Sequence, residues 1–407
     1  FWIAAIGLVV LTALYTIFGG MKSVLYTSVL QTPILLLGSL IILVLGFKEL
    51  GGWDEMMRVC GAVTVNDYGD TMTNLIRSND DANFPWLGAL IGSAIIGFWY
   101  WCTDQFIVQR VLSGKNEKEA RRGTIFGAYL KLLPVFLFLI PGMIAFALHQ
   151  KYIGAGGEGF LPMLANGTAN ADAAFPTLVA KLLPAGVKGL VVCGILAALM
   201  SSLASLFNSS AMLFTIDFYK RFRPETPEKK LVGIGQIATV VIVILGILWI
   251  PIMRSVGDVL YTYLQDVQSV LAPGIAAAFL LGICWKRTSA QGGMWGLIAG
   301  MIIGLTRLGA KVYYSNAGEV ADSTFKYLFY DMNWLFFCGW MFLFCIIVVI
   351  VVSLATEAPT AEKIQGLVFG TATKEQKAST RASWNHWDII HTVIILAITG
   401  AFYWYFW

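Results

Sequence analysis

Charge is what this sequence has least of. Only 13% of its 407 residues are Asp, Glu, Lys or Arg, where a soluble domain carries about 25%. Two or three water-soluble domains, which such a length would otherwise suggest, are therefore excluded. The net charge of +4 is small and divided among loops, so it does not imply a nucleic-acid partner. Six cysteines, at 60, 102, 193, 284, 338 and 345, are scattered without CxxC or zinc-like spacing. They read as small apolar packing residues. HExxH, GxSxG and Walker A strings are missing, which leaves an embedded enzyme no catalytic set to point at. GAGGEG at 154–159 has glycines at dinucleotide-loop spacing, but it follows an apolar run rather than a strand. An initiator Met and a signal peptide are lacking too. Phe1 stands inside an apolar run, so the chain reads as a fragment whose N-terminal helices are missing.

What is abundant is apolar length. Hydrophobic residues make up 57% of the chain and the mean hydropathy is +0.72. Stretches of about 20 apolar residues recur, each long enough to cross a hydrocarbon core of about 30 Å. Backbone groups in lipid must be satisfied within the segment, and strict apolar–polar alternation is missing, so the spans are helices rather than barrel strands. The expected spans are 1–18, 22–46, 84–108, 123–149, 186–218, 231–253, 257–283, 289–306 and 333–355, with 387–407 as a tenth. Cations crowd three connections: Arg110 to Arg122, Lys220 to Lys230, and Lys286 with Arg287. The loop 48–83 is acidic. Basic loops face the cytoplasm, which places Phe1 and Trp407 outside and the protein, multi-pass, in a cell membrane. The expected organisation is a membrane transport domain over 1–355, a mobile cytoplasmic linker over 356–386 and a closing helix over 387–407.

Polar residues at depth are the informative ones, because each costs several kcal/mol unless partnered. Lys131 stands about two turns into its span; it either snorkels to the surface or faces a cavity. In ALMSSLASLFNSSAMLF, the small hydroxyl residues serve close helix packing, but Ser201 and Ser202, one turn after the Ala198 carbonyl, could also supply hard oxygens to a small cation. Without a carboxylate, the set suits a monovalent ion. GFWYWCTDQFIVQR joins Tyr100 and Trp101 to Asp104 and Gln105. Aromatics with amides suit a sugar, whose C–H faces meet rings and whose hydroxyls meet amides, although an interfacial aromatic belt has the same composition. Gly92 and Gly97 precede it and are expected to permit a helix break. In DVLYTYLQDVQSVLAPG, Tyr261, Gln265 and Gln268 share one helical face, with Asp258 and Asp266 in the same span. This stripe reads as part of a solute pathway. Asn166-Gly-Thr168 is a glycosylation sequon, meaningful only in a eukaryotic secretory route. His386 and His391 lie too far apart to share a helix face.

In this order the segments resemble the sodium/solute symporter family, in particular its sodium–glucose/galactose branch. The matching strings are ALYTIFGGMKSVLYTSVLQ, FWYWCTDQFIVQRVLSGKN, PAGVKGLVVCGILAALMSSLASLFNSSAMLFTIDFYK and LAPGIAAAFLLGICWKR. They span Leu11 to Arg287, with a looser likeness to Trp407. The resemblance implies an all-α integral membrane protein with the LeuT-type inverted-repeat transporter fold, entered at its fourth core helix. The second repeat then runs from about 84 to 284, and the first repeat's broken helix, which supplies part of both ligand sites, is lacking.

Position by position, the resemblance makes the Ala198 carbonyl, Ser201 and Ser202 sodium ligands. Lys131 and Gln265 correspond to contacts with sugar hydroxyls. Tyr100, with Trp101 beside it, closes the sugar site toward the cytoplasm, and Tyr261 is an outer-gate aromatic. Two departures stand out. Relatives commonly carry Asp at Ser28 and, in members that use two sodium ions, Thr at Ala204, so one sodium per sugar is expected. The bacterial galactose transporter has Asn at Gly97, so sugar preference is open. The implied activity is sodium-coupled uptake of glucose or galactose by alternating access, with no enzymatic step. Alternatives are another solute such as myo-inositol on the same scaffold, or a transporter-like sensor, for which the chain carries no signalling domain after its last span.

Overall fold

A computed structural model describes residues 2–164, 167–254, 260–316 and 321–406. Phe1, Asn166 of the sequon, Asp258 and Trp407 lie outside the described residues. The protein is helical, in chain order α1 (Trp2–Leu50), α2 (Trp53–Gly61), α3 (Trp86–Phe98), α4 (Gln105–Leu112), α5 (Glu117–Pro134), α6 (Ile140–Gly154), α7 (Ala174–Leu182), α8 (Ala185–Met212) and α9 (Lys220–Phe222). Then follow α10 (Glu228–Arg254), α11 (Leu260–Cys284), α12 (Ala290–Asn316), α13 (Thr324–Lys326), α14 (Trp334–Ala355), α15 (Ala361–Ile364), α16 (Lys374–Ser383) and α17 (His386–Tyr405). Wider π turns stand at Trp99–Thr103, Val135–Leu139, Leu213–Tyr219 and Tyr327–Asp331. Among the described residues, 9 helices are long and apolar enough to cross a membrane. Many of their Leu, Ile, Val and Phe side chains are exposed, as lipid-facing residues are.

The expected break between spans 1–18 and 22–46 is not there: α1 is one helix of 49 residues. Gly19-Gly20 lowers helix propensity, but no proline stops the chain at that point. Span 289–306 is also too short, since α12 continues to Asn316 and carries Arg307 and Lys311 with it.

The chain divides into two compact units. The first comprises 1–63, 71–73 and 128–259. There α1 lies along α8, with α6, α7 and α10 packed around the pair. A Cβ at Gly38 would come within 2.6 Å of Val191 Cγ2, so only glycine lets the two backbones approach this closely. The core of this unit joins Ile42, Met56, Ile144, Leu148, Leu178 and Val191. Gly51 and Gly52, at φ 114° and 109°, make the turn from α1 into α2 that a side chain would oppose.

The second unit comprises 64–70, 74–127 and 260–407. Here α3, α11, α12 and α14 pack together around Ile95, Ala272, Ala276, Leu335 and Cys338. Asn333 starts α14 in two ways: its Oδ1 accepts from the Leu335 N–H at 2.8 Å, and its Nδ2 donates to the Ala82 carbonyl at 2.7 Å. The stretch 356–386, expected as a linker, carries helical turns. It holds α15 and α16, the latter opened by a Thr373–Gln376 capping box. The Phe369 N–H donates to the Ile283 carbonyl at 2.7 Å, and Arg287 donates to the Thr356 carbonyl at 2.6 Å, tying the stretch to the end of α11.

Candidate functional site

Within the first unit the ion-binding candidates all lie on α8. Ala198, Ser201 and Ser202 are spaced so that the carbonyl of the first sits one turn below the two hydroxyls. A backbone carbonyl has two lone pairs, so Ala198 can keep its helical hydrogen bond and still face a cation. Ser201 is buried and Ser202 exposed, Ala198 half-buried. Ser201 Oγ lies 2.5 Å from Ser28 Oγ on α1, a hydroxyl–hydroxyl contact. One residue away on α8, the Met200 carbonyl accepts from the Tyr15 hydroxyl at 2.8 Å. Thus α1 is pinned to α8 at two adjacent residues, Met200 and Ser201, within the candidate set. Ala204 is wholly buried and offers no oxygen from its side chain.

Lys131 belongs to the same unit. It is exposed, near the end of α5 and just before the π turn Val135–Leu139. The extra residue of such a turn realigns the helix face beyond it.

The remaining candidates lie in the second unit. The helix break expected near Gly92 and Gly97 falls later, at 99–104. There the π turn Trp99–Thr103 ends at an extended Asp104 whose carboxylate caps α4 by accepting from the Phe106 N–H at 3.1 Å. Thr103 Oγ1 donates at 2.7 Å to the Trp99 carbonyl, which also accepts from the Asp104 N–H at 3.1 Å. Gly92 serves close packing instead, since a Cβ there would lie 2.8 Å from the Leu335 carbonyl oxygen, whereas one at Gly97 would meet nothing within 4 Å.

Three aromatics follow one another along the turn: Tyr100 lies 6.2 Å from Trp99 and makes a 5.3 Å edge-to-face contact with Trp101. Tyr100 is half-buried and Trp101 is 50% exposed. The turn packs against α11, the helix that carries Tyr261 and Gln265. Gln265 and Gln268 are half-buried and Tyr261 is 58% exposed. Of the sequence-derived solute candidates, this unit therefore brings the Tyr100/Trp101 turn to the Gln265 helix.

Asp266 does not belong to the polar stripe. It turns to α12, where Lys311 and Arg307 hold its carboxylate. Those two cations escaped the sequence reading because charges beyond an expected span end look like loop residues. Their spacing of four on an otherwise apolar helix was the available signal.

These features define a polytopic α-helical transporter of the LeuT fold class. The fold is that of a Na+-coupled sialic acid symporter solved in a substrate-bound outward-open state. The two share a TM-score of 0.66 at 22% identity, over 87% of this chain and 66% of that one. Residues 1–300 match the sodium:solute symporter family, and the chain belongs to that family, whose members are membrane transporters rather than enzymes. It is 35% identical to the sodium/mannose cotransporter of Bos taurus, over 100% of this chain and 72% of that protein. It is 35% identical to the sodium/myo-inositol cotransporter 2 of Homo sapiens and 38% identical to the sodium/glucose cotransporter 1 of Ovis aries. These alignments cover 91% and 88% of the chain, but the chain spans only 56% of the length of either relative.

Proposed function

We propose that this chain forms the greater part of a cell-membrane symporter that couples one sodium ion to the inward movement of one monosaccharide, glucose or galactose, by alternating access. The observation that carries the solute class is the aromatic turn at 99–101 packed on the helix of Gln265. Rings cover the C–H faces of a pyranose and an amide meets its hydroxyls, a pairing that an amino-acid or inorganic-anion site would not need. Tyr100, Trp101 and Gln265 are its contacts, and Tyr261 is the outer-gate aromatic. Lys131 keeps the role of a hydroxyl partner that the family resemblance gives it.

Sodium is assigned to the Ala198 carbonyl with Ser201 and Ser202. Three neutral oxygens cannot compensate a divalent charge, but they match a hard monovalent cation. The absence of a carboxylate at Ser28 and of a hydroxyl at Ala204 favours a single ion. Coupling then needs only that sodium bind the outward-facing state more tightly, so that solute meets a population already shifted toward it.

A ring polyol is the second reading, favoured by the likeness to a sodium/myo-inositol cotransporter. Thermal stabilisation of the purified full-length protein distinguishes the two, since only a bound solute raises the melting temperature. Glucose or galactose should stabilise in sodium but not in potassium. Stabilisation by myo-inositol or mannose alone would reassign the solute and leave the ion site standing.

A further inference from the structure

Charged residues inside a membrane helix are costly and are kept where they act. The second unit brings three together, Asp266 and Arg307 buried and Lys311 half-buried. Arg307 on α12 is wholly buried, with its guanidinium carbon 4.0 Å above the Phe337 ring. It donates to Asp266 Oδ1 at 3.5 Å and to the carbonyls of Met332 at 2.8 Å and Leu328 at 3.4 Å. Lys311, one turn further on, donates to Asp266 Oδ2. Both carboxylate oxygens are thus held from one side, and Arg307 also takes up carbonyls at the end of the helical segment 324–331.

The clamp closes one end of a seam. A Cβ on Gly304 would lie 2.8 Å from the Val270 carbonyl oxygen, and one on Gly300 would lie 2.9 Å from the Gly274 Cα. Positions 266, 270 and 274 of α11 therefore face 307, 304 and 300 of α12, in steps of four on α11 and of three and then four on α12. Glycine contacts bring two backbones close but present no side chain that resists rotation about the helix axis. The carboxylate clamp is directional and does resist it. Gln265 lies about 100° around the helix from the clamped residue, so the clamp sets where its amide points. Rotating α11 by roughly 20° would carry a side-chain tip, at a radius of about 5–6 Å, through about 2 Å, which exceeds what a hydrogen bond tolerates.

We infer that Asp266, held by Arg307 and Lys311, is a positioning residue for solute recognition that fixes the rotation of α11 and through it the direction of Gln265. The inference rests on Gln265 being a solute contact. Neither Asp266 nor the two cations touches solute in this account.

The test is a kinetic cycle on the full-length protein in proteoliposomes. Asp266→Asn, Asp266→Glu, Lys311→Met, Gln265→Ala and the Gln265→Ala/Asp266→Asn pair are compared for sugar KM, kcat, sodium half-saturation and melting temperature. Asp266→Asn and Lys311→Met should each raise the sugar KM about tenfold, the size of one lost hydrogen bond, with kcat and sodium half-saturation unchanged. Asp266→Glu should recover most of the loss. In the Gln265→Ala background, Asp266→Asn should add nothing to KM, because both act through one amide. If Asp266→Asn fails to fold, Lys311→Met decides alone. A purely structural clamp would lower kcat, melting temperature and sodium affinity together, or leave KM unmoved, and either outcome overturns the inference. An unchanged KM in Gln265→Ala would instead remove the solute assignment on which it rests.

Discussion

Ser28 Oγ meets Ser201 Oγ at 2.5 Å, across the α1–α8 contact. The position at which the family resemblance leads one to expect a carboxylate thus touches the residue proposed for sodium. A hydroxyl there contributes a dipole but no charge, so neither Ser28 nor Ser201 brings a negative charge to this contact. Ser201→Ala should weaken sodium half-saturation of transport about tenfold, the effect of losing one hydrogen-bond-strength contact to a charged group. Ser28→Asp should tighten it and make transport acid-sensitive. Uptake titrated with sodium, at constant ionic strength, reads both changes.

Stoichiometry follows from Ser28 together with Ala204. With Ser28 and Ala204 in place, one sodium should move per solute, and the reversal potential of transport should shift as that ratio requires. A ratio of two would show that oxygens beyond Ala198, Ser201 and Ser202 form a second ion site.

Two glycines on α3 make opposite predictions. Gly92→Val forces a side chain against the Leu335 backbone and should cost about 1–3 kcal/mol of stability by overpacking. Gly97→Asn meets open space, so folding should be unaffected. If position 97 faces solute, the change should move preference toward galactose. Melting temperature measures the first effect, and competition between glucose and galactose the second.

The acidic loop 64–81 should lose order in acid. Asp70 is held below the usual carboxylate range by the side-chain amide of Asn66, with help from the Ser78 N–H. Burial pushes Asp81 up, but the N–H groups of Phe84 and Asn83, together with Asn66 and Arg77, outweigh it and leave its carboxyl low as well. Lowered folded-state values mean that these contacts stabilise the loop fully above the unfolded value of about 4 and lose that contribution as pH falls through the folded values. Amide exchange in 64–81 should be flat from neutral pH down to about 4 and rise below it once intrinsic rates are corrected. Asn66→Ala should raise exchange already at neutral pH and shrink the acid-induced rise, because less of the stabilisation remains to be lost.

How much of this was readable in the sequence depended on the kind of force involved. Apolar length marks nearly every span, because burial in lipid rewards each residue separately. The hydroxyl pair at 201–202 and the aromatic run at 99–101 stood out because polar atoms at depth need a reason. Geometry that depends on pairs of segments did not show. The Asp266 clamp requires knowing that α12 runs on to Asn316 and faces α11, and neither fact is local. Backbone freedom points to a helix break at Gly92 and Gly97, but the break lies at Asp104, where a carboxylate caps the next helix. Gly92 turned out to answer to Leu335, a residue more than two hundred positions away.

The most direct measurement is accumulation of labelled glucose and galactose by the full-length protein in proteoliposomes, with an inward sodium gradient and with potassium in its place. Accumulation above equilibrium is expected only with sodium, and it should fall about tenfold at limiting sodium in Ser202→Ala and at limiting sugar in Gln265→Ala. Sodium-independent uptake, or sodium-driven uptake that both substitutions leave intact, would contradict it.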